Sequence, residues 1–410
     1  MYVRIDIILD KIANRNVEKK TDSSNRFGSI IREERKKQGK TLKEVTGNSL
    51  SQSLLSKAER GITVLSKKHE TYIKDSLGIH FDDFNDLHSV RYIFEKIIKA
   101  LLLKEEYKEN NNNKNSQVDY IFSLLNIGES LIRKEYNGLC SNIDNLIPSI
   151  KMMSDTETLY FGCILSYYLY LSELYFDAFR ILNALTNILV TDEIYNIFQK
   201  YYLLLCSIKI SKISYIILHK NETLDLLFNN NLMALIKDIK YLEALYLVQS
   251  ATSSDYEEEI GIIKIIDSNQ FNFLKIFRNF LTGSFFNAYT ETRIIYNKSK
   301  ELLVLHLLLL NGLEKKKELL DLLSCNKFSY GESTSFLCDY LLKKCGDELN
   351  NYSNYINYIK NIDISQIQTA FLLRFLRSDI VARLNREHYY KESVMIIQRI
   401  DSFLKRISYF

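Results

Sequence analysis

The sequence is 410 residues long, with 46% hydrophobic and 25% charged residues, 13 glycines and one proline. A chain of this length and apolar content can bury a sizeable core, and its length favours more than one domain. So few helix breakers favour long helices with short connections, and we predict an all-α fold. The net charge of +4 is too small to indicate a nucleic-acid-binding protein on its own.

The first 25 residues are predicted to be an N-terminal extension, a short amphipathic segment followed by the polar linker VEKKTDSSN. Asp6 and Asp10 interrupt the apolar stretch and no small-residue cleavage site follows, so the segment does not resemble a signal peptide. The most apolar run of the chain, Leu302 to Leu310, is well short of the roughly 20 residues that cross a bilayer. We therefore expect a cytoplasmic protein with no membrane contact.

Residues 26–88 are predicted to form a domain of five short helices. Between Arg26 and Asp75 there are 12 basic and 6 acidic residues, a net charge of +6 against +4 for the whole chain. A basic module on a slightly acidic body suits binding to phosphate groups, and we therefore expect this domain to bind DNA. A solvated lysine-rich face is the alternative explanation of this charge.

The most specific pattern in the chain is GKTLKEVTGNSLSQSLLSKAERG, from Gly39 to Gly61. Capping residues and glycines divide it into two short helices joined by a tight turn. Apolar residues at helical spacing are expected to pack the two helices together and onto a preceding helix that contributes Phe27, Ile30 and Ile31. The packing residues of the two helices are Val45, Leu50, Leu54, Leu55 and Ala58. The predicted parts are a cap at Thr41, a helix over Leu42–Thr46, a turn at Gly47-Asn48, a cap at Ser51, and a helix over Gln52–Arg60 that ends at Gly61.

Small and polar side chains are left on the outer face of the second helix, as a helix that reads the DNA major groove requires. Gln pairs with adenine, Lys with guanine, and Ser with either a base or a phosphate. An ordinary two-helix hairpin with a solvated face is the alternative. The predicted base-reading residues are Ser51, Gln52, Ser53, Ser56 and Lys57.

A second set of residues around the first helix is predicted to contact the phosphate backbone. Cationic side chains there supply an affinity that depends on salt and not on base sequence. The predicted phosphate-contacting residues are Arg35, Lys36, Lys37, Lys40, Thr41 and Lys43.

A linker helix over Val90–Tyr107 and an Asn-rich loop at Asn110–Ser116 are predicted to fill residues 89–116. Beyond it, residues 117–410 alternate apolar-periodic stretches with short polar breaks, which is typical of a helical repeat domain. The predicted helices there are 117–136, 156–172, 175–190, 193–211, 231–250, 257–281, 285–311, 314–324, 330–345, 347–360, 364–386 and 388–407.

Two similarities to known families follow from these residues. The pair Leu159–Leu171 and Tyr175–Leu189, with LYFDAFRIL and a small Ala178, resembles half of a tetratricopeptide unit, although the repeat period is loose. The stretch LSQSLLSKAERG, together with SKKHETYIKDSLGIHFDDF from Ser66 to Phe84, resembles the Xre-type helix-turn-helix. The version that it resembles most is that of the Rgg/PlcR/ComR (RRNPP) peptide-pheromone-responsive regulators of Firmicutes.

This resemblance implies a transcription regulator with a tetratricopeptide-like α-solenoid behind its DNA-binding head. Members of the family are homodimers that read near-palindromic double-stranded DNA and bind a short re-imported peptide in the concave groove. The resemblance also implies that Glu59 pairs with an arginine of the first helix, either Arg32 or Arg35. It leaves the peptide-binding residues unassigned, because the register of the repeats is not fixed by the sequence.

The sequence contains no motif that is typical of a catalytic site. We find no P-loop, GxGxxG, GxSxG or HExxH pattern, and no zinc-type spacing among six cysteines and six histidines. We therefore predict no enzyme activity, no cofactor and no metal. Two alternatives stay open, a regulator that responds to a protein and not to a peptide, and a helical-repeat scaffold without DNA affinity.

Overall fold

The computed structural model describes residues 3–16, 28, 31–32, 34–47, 49–60, 63, 65–78, 86–105, 119–188, 192–250, 268–325, 331–346 and 352–409. Every regular element in these ranges is a helix, which confirms the prediction of an all-α protein.

The α-helices are numbered in chain order, and the described part of the chain also has three 3-10 segments, at Ile147–Met152, Tyr296–Lys298 and Ile364–Gln366. The α-helices are α1 Ile5–Asn16, α2 Leu42–Thr46, α3 Gln52–Glu59, α4 Lys67–Leu77, α5 Asp86–Leu103, α6 Asp119–Arg133, α7 Leu139–Leu146, α8 Asp155–Leu171, α9 Tyr175–Leu185, α10 Glu193–Lys209, α11 Ile213–Asn229, α12 Met233–Ser250, α13 Ser268–Leu281, α14 Phe285–Ile295, α15 Lys300–Gly312, α16 Lys316–Cys325, α17 Glu332–Gly346, α18 Tyr352–Asn361, α19 Ala370–Arg386 and α20 Tyr390–Tyr409.

Most predicted helices after residue 117 agree with the structure within a few residues, but the single helix over 285–311 is wrong. Ser299 has extended backbone there, and its side chain accepts a hydrogen bond from the Leu302 amide, so it caps a new helix, α15. The prediction also omitted α7 and α11. Neither begins with a side-chain cap, so the usual signal of a helix start is absent from the sequence.

The chain divides into two compact units. The first consists of residues 1–168 and 179–200, and the second of residues 169–178 and 201–410. The predicted extension, DNA-binding domain and linker all belong to the first unit, together with the beginning of the predicted repeat region. The loop predicted at Asn110–Ser116 and residues 79–85 of the predicted five-helix domain lie outside the described residues.

Within the first unit, α1 packs against the 3-10 segment at Ile147–Met152. Ile8 and Ile12 of α1 are fully buried, and the Lys11 amine donates a hydrogen bond of 2.9 Å to the Ile147 carbonyl. Burial lowers the pKa of Lys11, and the nearby Lys151 adds to this effect. The amphipathic segment predicted in the extension is therefore a helix that contributes to the core of the first unit.

In the second unit, helices are joined repeatedly by the same short turn. At Glu173, the backbone has φ of 63°, its amide bonds to the Tyr170 carbonyl at 3.1 Å, and the Leu174 amide bonds to the Leu169 carbonyl at 2.9 Å. These two bonds satisfy carbonyls that a helix end leaves unpaired, and the left-handed residue reverses the chain tightly. Other left-handed residues in such turns are Ser211, Asn231, Gly283, Glu314 and His388.

A buried histidine lies in the core of the second unit. The His306 ring stacks between Tyr289 and Tyr296, and its Nδ1 lies 2.9 Å from the Thr292 hydroxyl. Burial is the main cause that lowers the pKa of His306 to about 4, against an opposing effect of Glu318. The imidazole is therefore neutral in the folded protein at every pH above about 4.

This histidine makes stability depend on pH in a defined window. Below the ordinary histidine pKa of about 6.5, this imidazole is protonated in the unfolded chain but stays neutral in the folded chain. The free energy of unfolding therefore falls as pH drops from about 6.5 to about 4. The loss is at most about 3 kcal/mol at the acid end. Thermal unfolding of His306→Phe should show a shallower decline across that window. The Thr292 hydroxyl keeps its bond to the Tyr289 carbonyl, at 3.1 Å, in that variant. An equally steep decline in the variant would contradict this assignment.

Candidate nucleic-acid interface

Two short capped helices, α2 and α3, form the centre of the candidate interface. The Thr41 hydroxyl accepts a hydrogen bond from the Glu44 amide, while the Glu44 carboxylate accepts one from the Thr41 amide at 2.6 Å. The Ser51 hydroxyl accepts from the Leu54 amide and begins α3. Both predicted caps are thereby confirmed. The first amides of a helix have no partner within the helix. Because these caps satisfy some of those amides, the beginnings of these two short helices are held in place.

An apolar cluster holds α3 by its inner side. Ile31, Val45, Leu55 and Ala58 are almost fully buried in it, with Leu54 half-buried at its edge. The predicted packing of α2 and α3 onto the preceding helix is confirmed at these positions. Phe27 and Ile30, also predicted in this contact, lie outside the described residues.

The opposite side of α3 is a polar face open to solvent. At about 100° per residue, positions 52, 53, 56, 57 and 60 occupy one continuous arc of the helix, and 54, 55 and 58 occupy the other. Gln52, Ser53 and Lys57 are exposed, as is the cap Ser51, and Ser56 is half-buried. The predicted base-reading residues therefore share one accessible surface.

Arg60 is the residue of this face that the sequence interpretation missed. It is exposed, follows α3 directly, and donates a hydrogen bond of 3.1 Å from Nε to the Ser56 carbonyl. Its place four residues after Ser56 and eight after Gln52 was a signal in the sequence, because residues at those spacings lie on one helix face.

Glu59 sets the orientation of α3 through an ion pair with Arg35. The guanidinium donates from Nε and Nη2 to the two carboxylate oxygens at 2.6 and 2.9 Å, and the two side chains are 14% and 5% exposed. A third bond of 2.9 Å runs from Nη1 to the Lys40 carbonyl. The hydrogen bond to Glu59 is the main cause that raises the pKa of Arg35. Of the two candidate arginines, the partner of Glu59 is therefore Arg35.

This pairing changes the role of Arg35, which the sequence placed among the phosphate contacts. All its bonds described above are made within the domain, so its charge is already neutralised and we leave it out of the proposed phosphate contacts. Lys36, Lys37, Thr41 and Lys43 of the same set are exposed. The remaining member, Lys40, is half-buried, and its amine donates a hydrogen bond of 2.9 Å to the Ser76 carbonyl at the end of α4.

Two glycines permit the close packing around α3. A Cβ built on the buried Gly28 would lie 1.9 Å from the Ala58 carbonyl oxygen in α3, where no side chain fits. Gly47, which ends α2, has φ of 47°, and a Cβ there would meet the Tyr72 hydroxyl at 2.5 Å. The predicted turn therefore depends on Gly47 for both its conformation and its space. Asn48 lies outside the described residues.

No family model, curated protein or solved structure matches this chain. Among the described residues, no group of three or more His, Cys, Asp and Glu side chains is placed to hold a metal ion. In that same part of the chain, no helix has both the length and the apolar character needed to cross a membrane.

Proposed function

We propose that this chain is a sequence-specific DNA-binding transcription regulator of the Xre type, similar to the Rgg/PlcR/ComR regulators. The observation that carries the proposal is the geometry of α3. Its inner side is fixed by an apolar core and by the Arg35–Glu59 ion pair, while Gln52, Ser53 and Lys57 stand in solvent on the outer side. A rigid helix with a polar outer face at its N-terminal end suits entry into the major groove.

In this proposal, the side chains of α3 read base edges and the surrounding cations bind phosphate. Gln52 has the two-pronged amide that pairs with adenine, and Lys57 donates to the acceptors of guanine. Exposed Lys36, Lys37 and Lys43 contact the phosphate backbone, as does the Thr41 hydroxyl, and Arg60 joins them from the end of α3.

The helices behind this head are proposed to be a tetratricopeptide-like solenoid that binds a short signalling peptide and holds a cytoplasmic homodimer on a near-palindromic operator. The recurrent turns of the second unit support this, because short helix connections place neighbouring helices antiparallel, as in stacked repeats.

One observation favours the alternative, a scaffold or a regulator that responds to a protein partner. Ile213, Ile217 and Phe228 of α11 are 51%, 73% and 65% exposed and lie along one side of the helix. Exposed apolar stripes of this kind are typical of protein contacts. Synthetic peptides can be made from the short reading frames beside the gene. A rise in the unfolding temperature with one of them would favour a regulator that binds a peptide. No rise with any such peptide would favour the alternative.

Binding of the purified chain to DNA from its own promoter region tests the proposal. If each head makes about four contacts between cationic side chains and phosphates, its affinity for one half-site should fall about 100-fold between roughly 50 and 200 mM salt, because bound phosphates release their counterions. Fluorescence anisotropy of a labelled fragment at several salt concentrations measures this slope. Replacing Lys36 and Lys43 by Ala should reduce the slope by about one unit for each lysine.

Two results would count against the proposal. Failure to retard any genomic fragment at low salt would favour a scaffold without DNA affinity. An unchanged salt slope in the Lys36→Ala, Lys43→Ala variant would remove these lysines from the interface.

A further inference from the structure

The second unit contains an open cavity with mostly apolar walls. The empty space of the cavity, measured together with its mouth that opens to solvent, is about 850 Å³. Aromatic side chains from α9, α12, α13 and α19 form much of the wall, with leucines of α12 and α15 between them. The aromatic residues are Tyr175, Tyr246, Phe273, Phe277 and Phe371. A concave space with largely apolar walls and a few charged groups is typical of sites for small molecules or single peptide residues.

Two of the charged groups that line the cavity neutralise each other. The Lys300 amine lies 2.7 Å from the Glu173 carboxylate. The same carboxylate accepts hydrogen bonds from the Thr334 amide at 2.8 Å and the Thr334 hydroxyl at 2.9 Å, close to the beginning of α17. Glu173 is therefore already paired with a cation and with two hydrogen-bond donors of the protein.

Lys209 differs from these groups. It lines the cavity at the end of α10, its Nζ lies 5.8 Å from the centre of the Tyr175 ring, and within the described chain its amine makes no hydrogen bond or ion pair. Burial lowers the pKa of Lys209, and the carboxylates of Glu301 and Glu173, which also line the cavity, oppose this only in part. An ammonium held beside apolar walls without a bonded anion is costly, so a carboxylate placed against it would be strongly favoured.

We propose that this cavity binds an apolar molecule that ends in a carboxylate, with the carboxylate against the Lys209 ammonium and the apolar part between the aromatic walls. An amine at the same position would be repelled by the Lys209 ammonium. Two sources share this chemistry, a free fatty or aryl carboxylic acid and the last residue of an apolar peptide. Binding of a free acid would be a property separate from the proposed DNA binding. Binding of a peptide end rests on the proposed peptide response and would specify where the peptide's carboxylate lies.

Calorimetric titration of the full chain without DNA tests this inference, so that its failure is separate from any failure of DNA binding. Decanoate should bind at least about tenfold more tightly than decanol, which lacks the charge, since a charge-assisted hydrogen bond contributes about 1.5–3 kcal/mol. Lys209→Met should remove this preference. Lys275→Met is the matched control, because Lys275 of α13 is 59% exposed and is not among the residues that line the cavity.

The source is decided by a parallel titration with an apolar tetrapeptide that has either a free or an amidated C-terminus. Tighter binding of the free acid than of the amide, without binding of decanoate, assigns the cavity to a peptide end. Tighter binding of decanoate than of either peptide assigns it to a free acid. If Lys209→Met does not fold, the decanoate and decanol titrations of the unmodified chain decide. Equal affinities for acid and alcohol, or no binding of any acid, overturn the proposal.

Discussion

Replacing Gln52 and Lys57 together by alanine should weaken binding to the operator by about 30-fold or more. Each good base contact contributes about 1–3 kcal/mol of discrimination, and both side chains lie on the exposed face of α3. The fold should be unaffected, because exposed positions away from caps and cores change stability by only about 0.5 kcal/mol.

Fluorescence anisotropy with operator and scrambled duplexes measures this effect, and thermal unfolding checks the fold. Lys99→Ala is the matched control, because Lys99 is an exposed lysine on α5 outside the candidate interface. The double variant should lose preference for the operator while it keeps weak binding to the scrambled duplex through the phosphate-contacting lysines. If it binds the operator as tightly as the control does, the assignment of α3 as the reading helix is wrong.

Replacing Glu59 by alanine should destabilise the domain that carries α3 by about 3–5 kcal/mol. Arg35 is only 14% exposed, so its charge would stay buried after its carboxylate partner is removed. Exposed ion pairs contribute far less, about 0–1 kcal/mol, and the burial of both partners decides which estimate applies here. Affinity for DNA should fall as well, because α3 loses the bond that fixes its orientation.

Hydrogen exchange of the amides of α3 and α4 measures this local stability. The control is the double variant Arg35→Met, Glu59→Leu, since apolar replacement of both partners of a buried pair is often neutral. It should recover most of the protection that Glu59→Ala loses. Normal protection in Glu59→Ala would show that the ion pair does not hold α3.

Local features of the candidate site could be predicted because short stretches of chain encode them. The caps at Thr41 and Ser51 are bonds between residues three apart, so the residue types alone indicate them. The polar face of α3 follows from helical periodicity. Arg60 lies on the same arc of the helix, so helical periodicity could have predicted its place on the polar face as well.

The sequence by itself determined that this protein is helical, and it located the two capped helices, because hydrophobic spacing and caps act within a few residues. Only the tertiary structure shows that Arg35 and not Arg32 is the partner of Glu59, because the two paired residues are 24 positions apart along the chain. The cavity around Lys209 has the same origin. Its walls come from helices more than 150 residues apart, and Lys209 lies against these apolar walls only when those helices are packed together.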